Sequence, residues 1–534
     1  MIAFDSLPQA ELADDGGRSL EAQLLVTADP APAIAQAVAL GYAVMPAGGL
    51  TSAIGAFAYD HELVKNFKGV LAVRPKQSPE PELAEPGTPL EKLKTNQIMI
   101  DPATATVSAG AGLTFSQVND VLGHVVGPAA RVLVDLTSIG SAMVGGVVAS
   151  GSMGPLRLRP SASLVGVALA AGGAEAELLT GDDIFRAEGM QGWTGLVTAA
   201  RLRYFETPLN EFGLVLPVQS GDTDALGDFL AYLHPWTKTD VPESGSSLVG
   251  VKDEATIVNG VELVTRNSLE QFILHAGDDS LKAKAQNLLQ SCDYAGADWL
   301  ACITGWSDHA VDDVLVMLLD EETETIGGVM IDFGVGFSSG SEMDAFRAIR
   351  EGAPDLARTK ARVTPPGQLK PWTTSSDVNL VCLEKDTTPL ANALSSYQTY
   401  REAVDALGLT YEGRLKTEMT VYGHLNPHGL DPHHRVILTG APEFKDDLAA
   451  AAKQVGELKK ALMRDLVRVA NGFGAVINGG EKGAPSLVDL MRALGGEAGL
   501  PSNLQSDLAR ARAAIKKAPR AFSFRAPVEL LQGE

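Results

Sequence analysis

Two glycine-rich stretches constrain the fold of this chain more than any other feature. The first covers residues 45–55 and the second residues 135–154, about ninety residues further on. Glycine lets the backbone approach a bulky anionic ligand and aim N–H groups at a diphosphate, where side chains would leave no room. The two stretches therefore predict loops that cradle a phosphate-bearing cofactor.

Length, composition and charge describe a large globular protein. At 534 residues the chain exceeds the length at which single hydrophobic cores stop growing, so we expect two or three domains. Hydrophobic residues make up 45% and charged residues 20%, as in ordinary globular proteins. The net charge of −23 argues against a general affinity for nucleic acid or anionic membranes, because these partners need a basic footprint. An anionic substrate would need a local basic pocket.

The cysteines and the N-terminal residues predict a soluble, cytoplasmic chain. Cys292, Cys302 and Cys382 form no CxxC pair, and their odd number fits a reducing compartment better than a disulfide framework. Residues 1–8 lack the basic region and apolar core of a signal peptide, and no run approaches the roughly 18 apolar residues of a membrane helix. We therefore expect no transmembrane segment.

Three sequence blocks resemble those of a known family in order and spacing. A Pro-x-Gly-Gly-Gly-Thr loop matches residues 46–55, with Leu50 in place of the third glycine. An Asp-x-x-Ser block ending in Gly-Gly-x-x-Ala matches residues 135–149, with Gly151 where an asparagine is usual, and a third block matches residues 189–198. The chain thus resembles the FAD-linked oxidoreductases of the vanillyl-alcohol oxidase and p-cresol methylhydroxylase superfamily, in particular the D-lactate, D-2-hydroxyglutarate and glycolate dehydrogenase branch.

The resemblance implies noncovalent FAD. The residues that it assigns to the cofactor are Pro46, Ala47, Gly48, Gly49, Leu50, Thr51, Ser52, Gly55, Asp135, Ser138, Gly140, Gly145, Gly146, Ala149, Gly192, Gly195 and Val197.

The fold implied is α+β and has three parts. Residues 1–208 alternate short apolar runs with turn signals and would form a two-subdomain FAD-binding domain of the p-cresol methylhydroxylase type. Within them, residues 75–94 are rich in proline and glutamate and predict an inserted surface loop. Residues 209–408 would form an α+β cap that holds the substrate, and residues 409–534 a largely helical C-terminal part that completes the active site.

Two basic residues match family positions that bind a substrate carboxylate. Arg350 resembles the arginine of a Leu-Arg-Glu helix, and Lys370 resembles a lysine placed before an Asp-Val strand. A guanidinium pairs with a carboxylate through two hydrogen bonds, while an ammonium supplies a point charge. The alternative is that both are solvated charges of a surface helix and loop.

A histidine-rich segment resembles the family's metal site. Residues 422–434 hold four of the nine histidines, and His424 matches the first histidine ligand. Asp431 stands where the family has its second histidine, and a two-residue insertion would bring His433 into that place. Glu481 matches the glutamate ligand, so the resemblance leaves open a divalent metal such as zinc, held by His424, Asp431 or His433, and Glu481. The alternative is an exposed histidine-bearing loop that holds no ion.

The identity of the catalytic base also stays open. Lys482 stands where the family has its catalytic histidine, and it can act as a base only if burial or a nearby cation lowers its pKa toward neutrality. Otherwise Lys482 would anchor a carboxylate, and His424 or His428 would accept the hydroxyl proton.

Three functions are compatible with these motifs. The first is an FAD-dependent dehydrogenase that transfers hydride from a small D-2-hydroxy acid to the flavin and passes electrons to a protein or quinone. The second is an FAD-dependent oxidase or dehydrogenase of an alcohol, aldehyde or other substrate, which Lys482 favours. The third is a flavin-binding or flavin-less partner subunit without turnover of its own. The sequence leaves the oligomeric state open, a homodimer included.

Overall fold

The described part of the chain is interrupted by several gaps. The computed structural model describes residues 2–13, 19–48, 64–134, 140, 142–152, 163–218, 223–240, 247–266, 269–270, 273, 279–291, 299–320, 325–330, 335–337, 349, 369, 372–377, 379–381, 388–426, 429–473, 476–478 and 484–531.

The N-terminal part contains two sheets and a short strand pair. In chain order its elements are β1 (Gln9–Ala13), β2 (Ser19–Thr27), α1 (Pro30–Ala39), β3 (Ala43–Pro46), β4 (Val70–Pro75), β5 (Glu82–Leu83), β6 (Gln97–Asp101), β7 (Thr106–Gly110), α2 (Phe115–Val125), β8 (Ala130–Arg131), α3 (Val144–Ser150), β9 (Leu164–Ala170), β10 (Glu177–Thr180), β11 (Leu196–Arg203) and β12 (Phe205–Glu206). The first sheet has the order β1-β2-β4-β3 and the second the order β10-β9-β11-β7-β6-β5, while β8 pairs with β12.

Local sequence explains several of these elements. Helix α1 begins with a proline, whose missing N–H costs nothing in the first turn, and it buries Ile34 and Ala37 against the first sheet. Helix α2 begins at a capping box, in which Thr114 and Gln117 each bind the other's backbone N–H.

The segment 75–94 differs in part from the expected surface loop. It contains β5, which pairs with β6, and it buries Leu90 and Leu93 in the core beneath the first sheet. Burial of an apolar side chain stabilises the fold by about 1.5–3 kcal/mol. Leu90 and Leu93 therefore hold the proline-rich segment against the core.

A nine-stranded antiparallel sheet dominates the rest of the chain. Its region contains β13 (Asn210–Val218), α4 (Thr223–Leu233), β14 (Thr239–Asp240), β15 (Val249–Gly250), β16 (Thr256–Thr265), α5 (Asp279–Ser291), β17 (Trp299–Ser307), α6 (Val311–Leu318), β18 (Thr325–Ile326), β19 (Val329–Met330), β20 (Val335–Phe337), β21 (Trp372–Asp377), β22 (Asn379–Val381), α7 (Thr388–Thr410), β23 (Leu415–Asn426) and β24 (Gly429–Gly440). The strand order is β20-β13-β17-β16-β23-β24-β22-β25, with β21 also on β24; the last strand, β25, is Val476–Asn478.

The remaining elements are helices. They are α8 (Lys445–Phe473), α9 (Ala484–Ala493), α10 (Ser502–Lys517), α11 (Arg520–Ser523) and α12 (Val528–Leu531). Residues 409–534 therefore combine helices with the β23–β24 hairpin, which joins the same sheet as β13, β16 and β17. Among the described helices, none has both the length and the apolar character needed to cross a bilayer.

The two faces of the nine-stranded sheet differ in character. On the outer face, Val261 and Ile303 pack with residues of α4 and α6, such as Phe229 and Val314. Successive residues of a strand point to opposite faces, so the neighbours Glu262 and Cys302 lie on the other side. We call that side the inner face; it carries Trp306, Cys302, Glu262 and His424, which the strand register places on one side.

Candidate functional site

The three glycine-bearing blocks meet at one place. A Cβ built on Gly48, in the first block, would lie 3.6 Å from the Cα of Gly146, in the second. Gly192, in the third block, has a φ of +71°, and a Cβ there would lie 2.9 Å from two ring carbons of Pro46. The fold thus brings together residues that are separated by more than 140 positions in the sequence.

Backbone hydrogen bonds join the second block to the third. The N–H of Gln191 donates to the carbonyl of Ala149 at 2.7 Å, and the N–H of Gly189 donates to that of Val148 at 3.1 Å. Gly151 ends α3 with a φ of +63°, the usual conformation of a glycine after a helix. These contacts position the two blocks as one rigid surface.

The glycines of the three blocks have different surroundings and different roles. A Cβ on Gly145 would lie 2.6 Å from the Cβ of Ala111, and one on Gly195 would lie 2.8 Å from the carbonyl oxygen of Ala170. Both glycines therefore allow close packing within the N-terminal part. Val197, beside them, is buried in the core of the second sheet.

Gly146 behaves differently, because a Cβ there would have no atom of the described residues within 4 Å. Within the described part of the chain, the backbone at Gly146 is therefore not packed against side chains. A surface free of side chains suits the approach of a large anion such as the diphosphate of FAD, so the described residues fit that group. The other expected cofactor residues, Gly49, Leu50, Thr51, Ser52, Gly55, Asp135 and Ser138, lie outside the described residues.

A cavity of about 530 Å³ borders the junction of the second and third blocks. Gly151 and Gly189 line it on one side, and Leu487 and Arg510 of α9 and α10 line it on the other. At the start of α9, the N–H of Ala484 donates to the carbonyl of Gly189 at 3.0 Å. The C-terminal helices therefore contact the third block directly.

The inner face of the large sheet turns toward the N-terminal part. Trp306 and Ile257, on this face, share a buried cluster with Leu133 and Phe205. Arg131 lies 5.6 Å from the ring of Trp306 and forms an ion pair of 3.2 Å with Glu211. Leu133 lies two residues before the second glycine block. The chain therefore packs against the inner face just before this block begins.

Four residues whose side chains can ionise lie in one row that runs across neighbouring strands of the sheet. The register pairs Cys302 with Glu262, Glu262 with His424, and His424 with Asp431, on four neighbouring strands. Directly opposed positions share a face of a sheet, so the side chains of Cys302, Glu262 and His424 belong to the inner face. The side chain of Asp431 lies outside what the structure describes.

Glu262 and His424 form the buried pair at the centre of this row. Oε1 of Glu262 lies 3.3 Å from Nδ1 of His424, and the two side chains are 4% and 2% exposed. Burial of a carboxylate costs free energy unless the carboxylate is paired. Replacement of only one of the two residues would therefore destabilise the fold, because the other would stay buried without its partner. Glu262 belongs to none of the motifs found in the sequence, although one acid among the mostly apolar residues 257–264 is a usable signal.

The histidine-rich segment is a β-hairpin, not an exposed loop. His424 is buried on the inner face, whereas His434 is buried among aromatic rings, stacked on Tyr397 with ring centroids 4.8 Å apart. Tyr400 lies edge-on to His434, and burial raises the pKa of its hydroxyl. Two of the four histidines therefore have different, defined environments.

The hairpin register bears on the expected metal ligands. It places Asp431 opposite His424, while His433 pairs with Tyr422 and with Asp377 of β21. The side chain of His433, like Glu481, lies outside what the structure describes. Among the described side chains, no three histidines, cysteines or carboxylates come close enough to hold an ion, so the metal stays a prediction.

The other expected catalytic and substrate residues lie outside the described part of the chain. These are Arg350, Lys370, Lys482 and His428. Their roles stay predictions. Of the expected catalytic residues, the structure describes His424, and it places that side chain on the inner face.

Comparison with known proteins supports the fold. No family model and no curated protein sequence matches the chain. Two solved structures of alkyldihydroxyacetonephosphate synthase, in different crystal forms, are similar at 12% identity: one with TM-score 0.53 over 85% of this chain and 72% of its own, the other with TM-score 0.51 over 85% and 73%. This likeness shows that the chain shares the overall fold of these two structures over 85% of its length.

Proposed function

We propose that the protein is an FAD-dependent oxidoreductase. The observation that carries this proposal is the convergence of the three glycine-bearing blocks at a surface where a Cβ on Gly146 would meet no described atom within 4 Å. Gly48 and Gly146 would hold the diphosphate through their backbone, with the other residues of the expected cofactor set around them. Bound FAD would supply the acceptor for a hydride.

The substrate that we propose is a small D-2-hydroxy acid. His424 is a nitrogen base on the face that turns toward the N-terminal part, and it would accept the hydroxyl proton. Arg350 and Lys370 would bind the carboxylate of the substrate. Lys482 would act beside His424 as a second base or carboxylate anchor.

A divalent metal is the second way in which His424 would act. Together with Asp431 or His433 and Glu481, it would bind the ion, and the ion would polarise the hydroxyl oxygen. The register that sets Asp431 opposite His424 favours Asp431 as the partner. Metal analysis of the purified protein distinguishes the two roles of His424.

A different substrate class is the second candidate function. Lys482 in place of the family's catalytic histidine favours an alcohol or aldehyde, and the similar solved structures carry the name of a synthase. We further propose an electron-transfer protein or quinone as the acceptor, a cytoplasmic location, and the division into parts 1–208, 209–408 and 409–534.

The visible absorption spectrum tests the proposal. We expect the purified protein, after incubation with FAD, to show an oxidised flavin that bleaches when D-lactate, glycolate or D-2-hydroxyglutarate is added without oxygen. The substitution H424N should keep the flavin and slow bleaching at least 100-fold, the usual contribution of a general base. Bleaching by alcohols or aldehydes alone would move the function to the second candidate, and a protein that takes up no FAD would overturn both.

A further inference from the structure

Gln191, in the third glycine block, has a backbone conformation that glycine usually takes. Its φ is +51°, and it is one of two non-glycine residues in the described part of the chain with a positive φ, the other being Ala105. A residue with a Cβ is strained in this region, so the conformation persists only where surrounding contacts hold it. Gln191 is also buried, although its side chain is polar. Specific contacts must therefore fix this residue.

These contacts come from the end of helix α3. The N–H of Gln191 donates to the carbonyl of Ala149 at 2.7 Å, and its side-chain Nε2 donates to the carbonyl of Ser150 at 3.3 Å. A helix leaves its last four carbonyls without partners inside the helix, and in α3 these belong to residues 147–150. Gln191 therefore satisfies two of the four from another part of the chain.

The other two carbonyls at this end of α3 also have donors. That of Val147 accepts from the N–H of Ser152 at 3.2 Å, and that of Val148 accepts from the N–H groups of Gly151 and Gly189, each at 3.1 Å. The third block thus supplies donors to three of the four carbonyls. Because a buried carbonyl without a donor costs free energy, the end of α3 depends on the third block.

The start of α3 carries the glycine that meets the first block. The N–H of Gly145 donates to the carbonyl of Ala111 at 3.1 Å, and Gly146 lies beside Gly48. The helix is seven residues long, so Gly146 is about 6 Å along the axis from Ser150. A shift at the C-terminal end of so short a helix would move Gly146 as well.

We propose that Gln191 is a positioning residue, which fixes the C-terminal end of α3 and thereby keeps Gly146 beside Gly48 in the arrangement that accepts the cofactor. The effect on the cofactor rests on the function proposed above, whereas the effect on α3 does not. Both the strained backbone and the side-chain amide serve this contact. A glycine at position 191 would adopt the same φ without strain, but it would lose the donor to Ser150.

Hydrogen exchange of the apoprotein tests the effect on α3. In Q191G we expect residues 144–152 to exchange about three- to tenfold faster than in the wild type, because one hydrogen bond at the end of the helix is lost. Strand β17, in the large sheet, should exchange as before. A105G is the matched control: it relieves the same kind of strain in the turn between β6 and β7 and should leave residues 144–152 unchanged. Unchanged exchange of these residues in Q191G would overturn the proposal.

Q191E separates the amide from the size of the side chain. Glutamate has nearly the same shape as glutamine, but its ionised carboxylate cannot donate to the carbonyl of Ser150. We therefore expect exchange in residues 144–152 of Q191E to be faster than in the wild type near pH 7. Exchange at the wild-type rate would show that the amide has no positioning role. Should Q191G not fold, Q191E replaces it in both measurements.

Titration with FAD gives the second readout and keeps the two proposals distinguishable. Q191G and Q191E should bind FAD about tenfold more weakly than the wild type, and A105G should bind it equally well. The urea midpoint of apo Q191G should stay close to that of the wild type, because relief of strain offsets the lost hydrogen bond. Equal affinities in Q191G, Q191E and the wild type would overturn the proposal. A wild-type protein that takes up no FAD would overturn the proposed function, and exchange would still decide whether Gln191 fixes α3.

Discussion

A methyl group at Gly146 would meet no atom of the described residues within 4 Å, whereas one at Gly192 would collide with Pro46. Among the described residues, therefore, nothing in the packing requires the first glycine, and the fold itself requires the second. This difference allows a role in ligand binding to be separated from a role in stability, although both residues belong to blocks that look alike in the sequence.

G146A should weaken FAD binding without destabilising the protein. Alanine in helix α3 is expected to gain about 0.5–1 kcal/mol of stability from helix propensity, but its methyl group occupies the space that we assign to the cofactor. The measurements are thermal unfolding of the apoprotein and titration with FAD. G123A is the matched control, since Gly123 lies in helix α2 and a Cβ there would meet no described atom within 4 Å; it should change stability in the same way while leaving FAD binding intact.

G192A should act on stability as well as on the cofactor. Its φ of +71° and the 2.9 Å approach to Pro46 predict a loss of about 1–3 kcal/mol in the free energy of unfolding. Chemical denaturation of the apoprotein measures this loss. An unchanged midpoint in G192A would mean that the first and third blocks do not pack as described.

Some of these residues can be recognised from the sequence and others cannot. The glycines of the three blocks could be identified because their motif is local. Glu262 could not be linked to His424 from the sequence, because 161 intervening residues separate them and only the pairing of β16 with β23 brings them together. Which residue faces which is a property of register, and register depends on the whole sheet.

The β23–β24 hairpin shows the corresponding limit at the level of elements. Strands 106–110 and 164–170 consist of short apolar runs, and helix 115–125 begins at a capping box, so these elements carry strong local signals. The hairpin has buried polar residues, among them His424, His434 and Arg435, so its sequence is typical of a polar loop. Long-range packing overrides that pattern.

Helices α9 and α12 are joined by an ion pair whose strength should depend on pH. Arg492 donates to both carboxylate oxygens of Glu529, at 2.7 and 3.0 Å, and these hydrogen bonds lower the pKa of Glu529. A carboxyl with a lowered pKa stabilises the fold above its unfolded pKa, and this contribution is lost as the pH falls through the folded value.

E529Q should therefore destabilise the protein near pH 7 and have less effect in acid. Because Arg492 is half exposed, we expect a loss of no more than about 1 kcal/mol at pH 7. The difference should shrink as the pH falls below about 4.3, the ordinary pKa of glutamate. Urea unfolding at several pH values measures it, with E443Q, an exposed glutamate, as the control. A difference that grows in acid would contradict the sign of the shift.

At the scale of the whole molecule, the C-terminal helices pack both against the first sheet and against the third glycine block. Phe522 of α11 is fully buried in the core of the first sheet, together with Ile34 and Tyr42. Met190 and Trp193, from the third glycine block, are buried in turn among residues of α7 to α10. A fold that mixes helices and sheets could be predicted from the sequence. The packing of Phe522 against the N-terminal sheet could not, because no local sequence pattern indicates it.

F522A should therefore destabilise the N-terminal sheet from the far end of the chain. Removal of a fully buried phenylalanine costs about 3–5 kcal/mol, and the loss should appear in the unfolding of the N-terminal part. Urea unfolding followed by hydrogen exchange on α1 and β3 measures it. V528A, an exposed position in the same terminal segment, should change stability by less than about 0.5 kcal/mol.

The position of Phe522 also determines the order of events during synthesis. The strands of the first sheet lie within residues 9–75, yet its core lacks Phe522, one of its buried aromatic side chains, until more than four hundred further residues have been translated. A ribosome-bound chain would therefore hold an unfinished N-terminal half throughout elongation. Capture of the cofactor would then be a late event, which follows synthesis of the segment that contains Phe522.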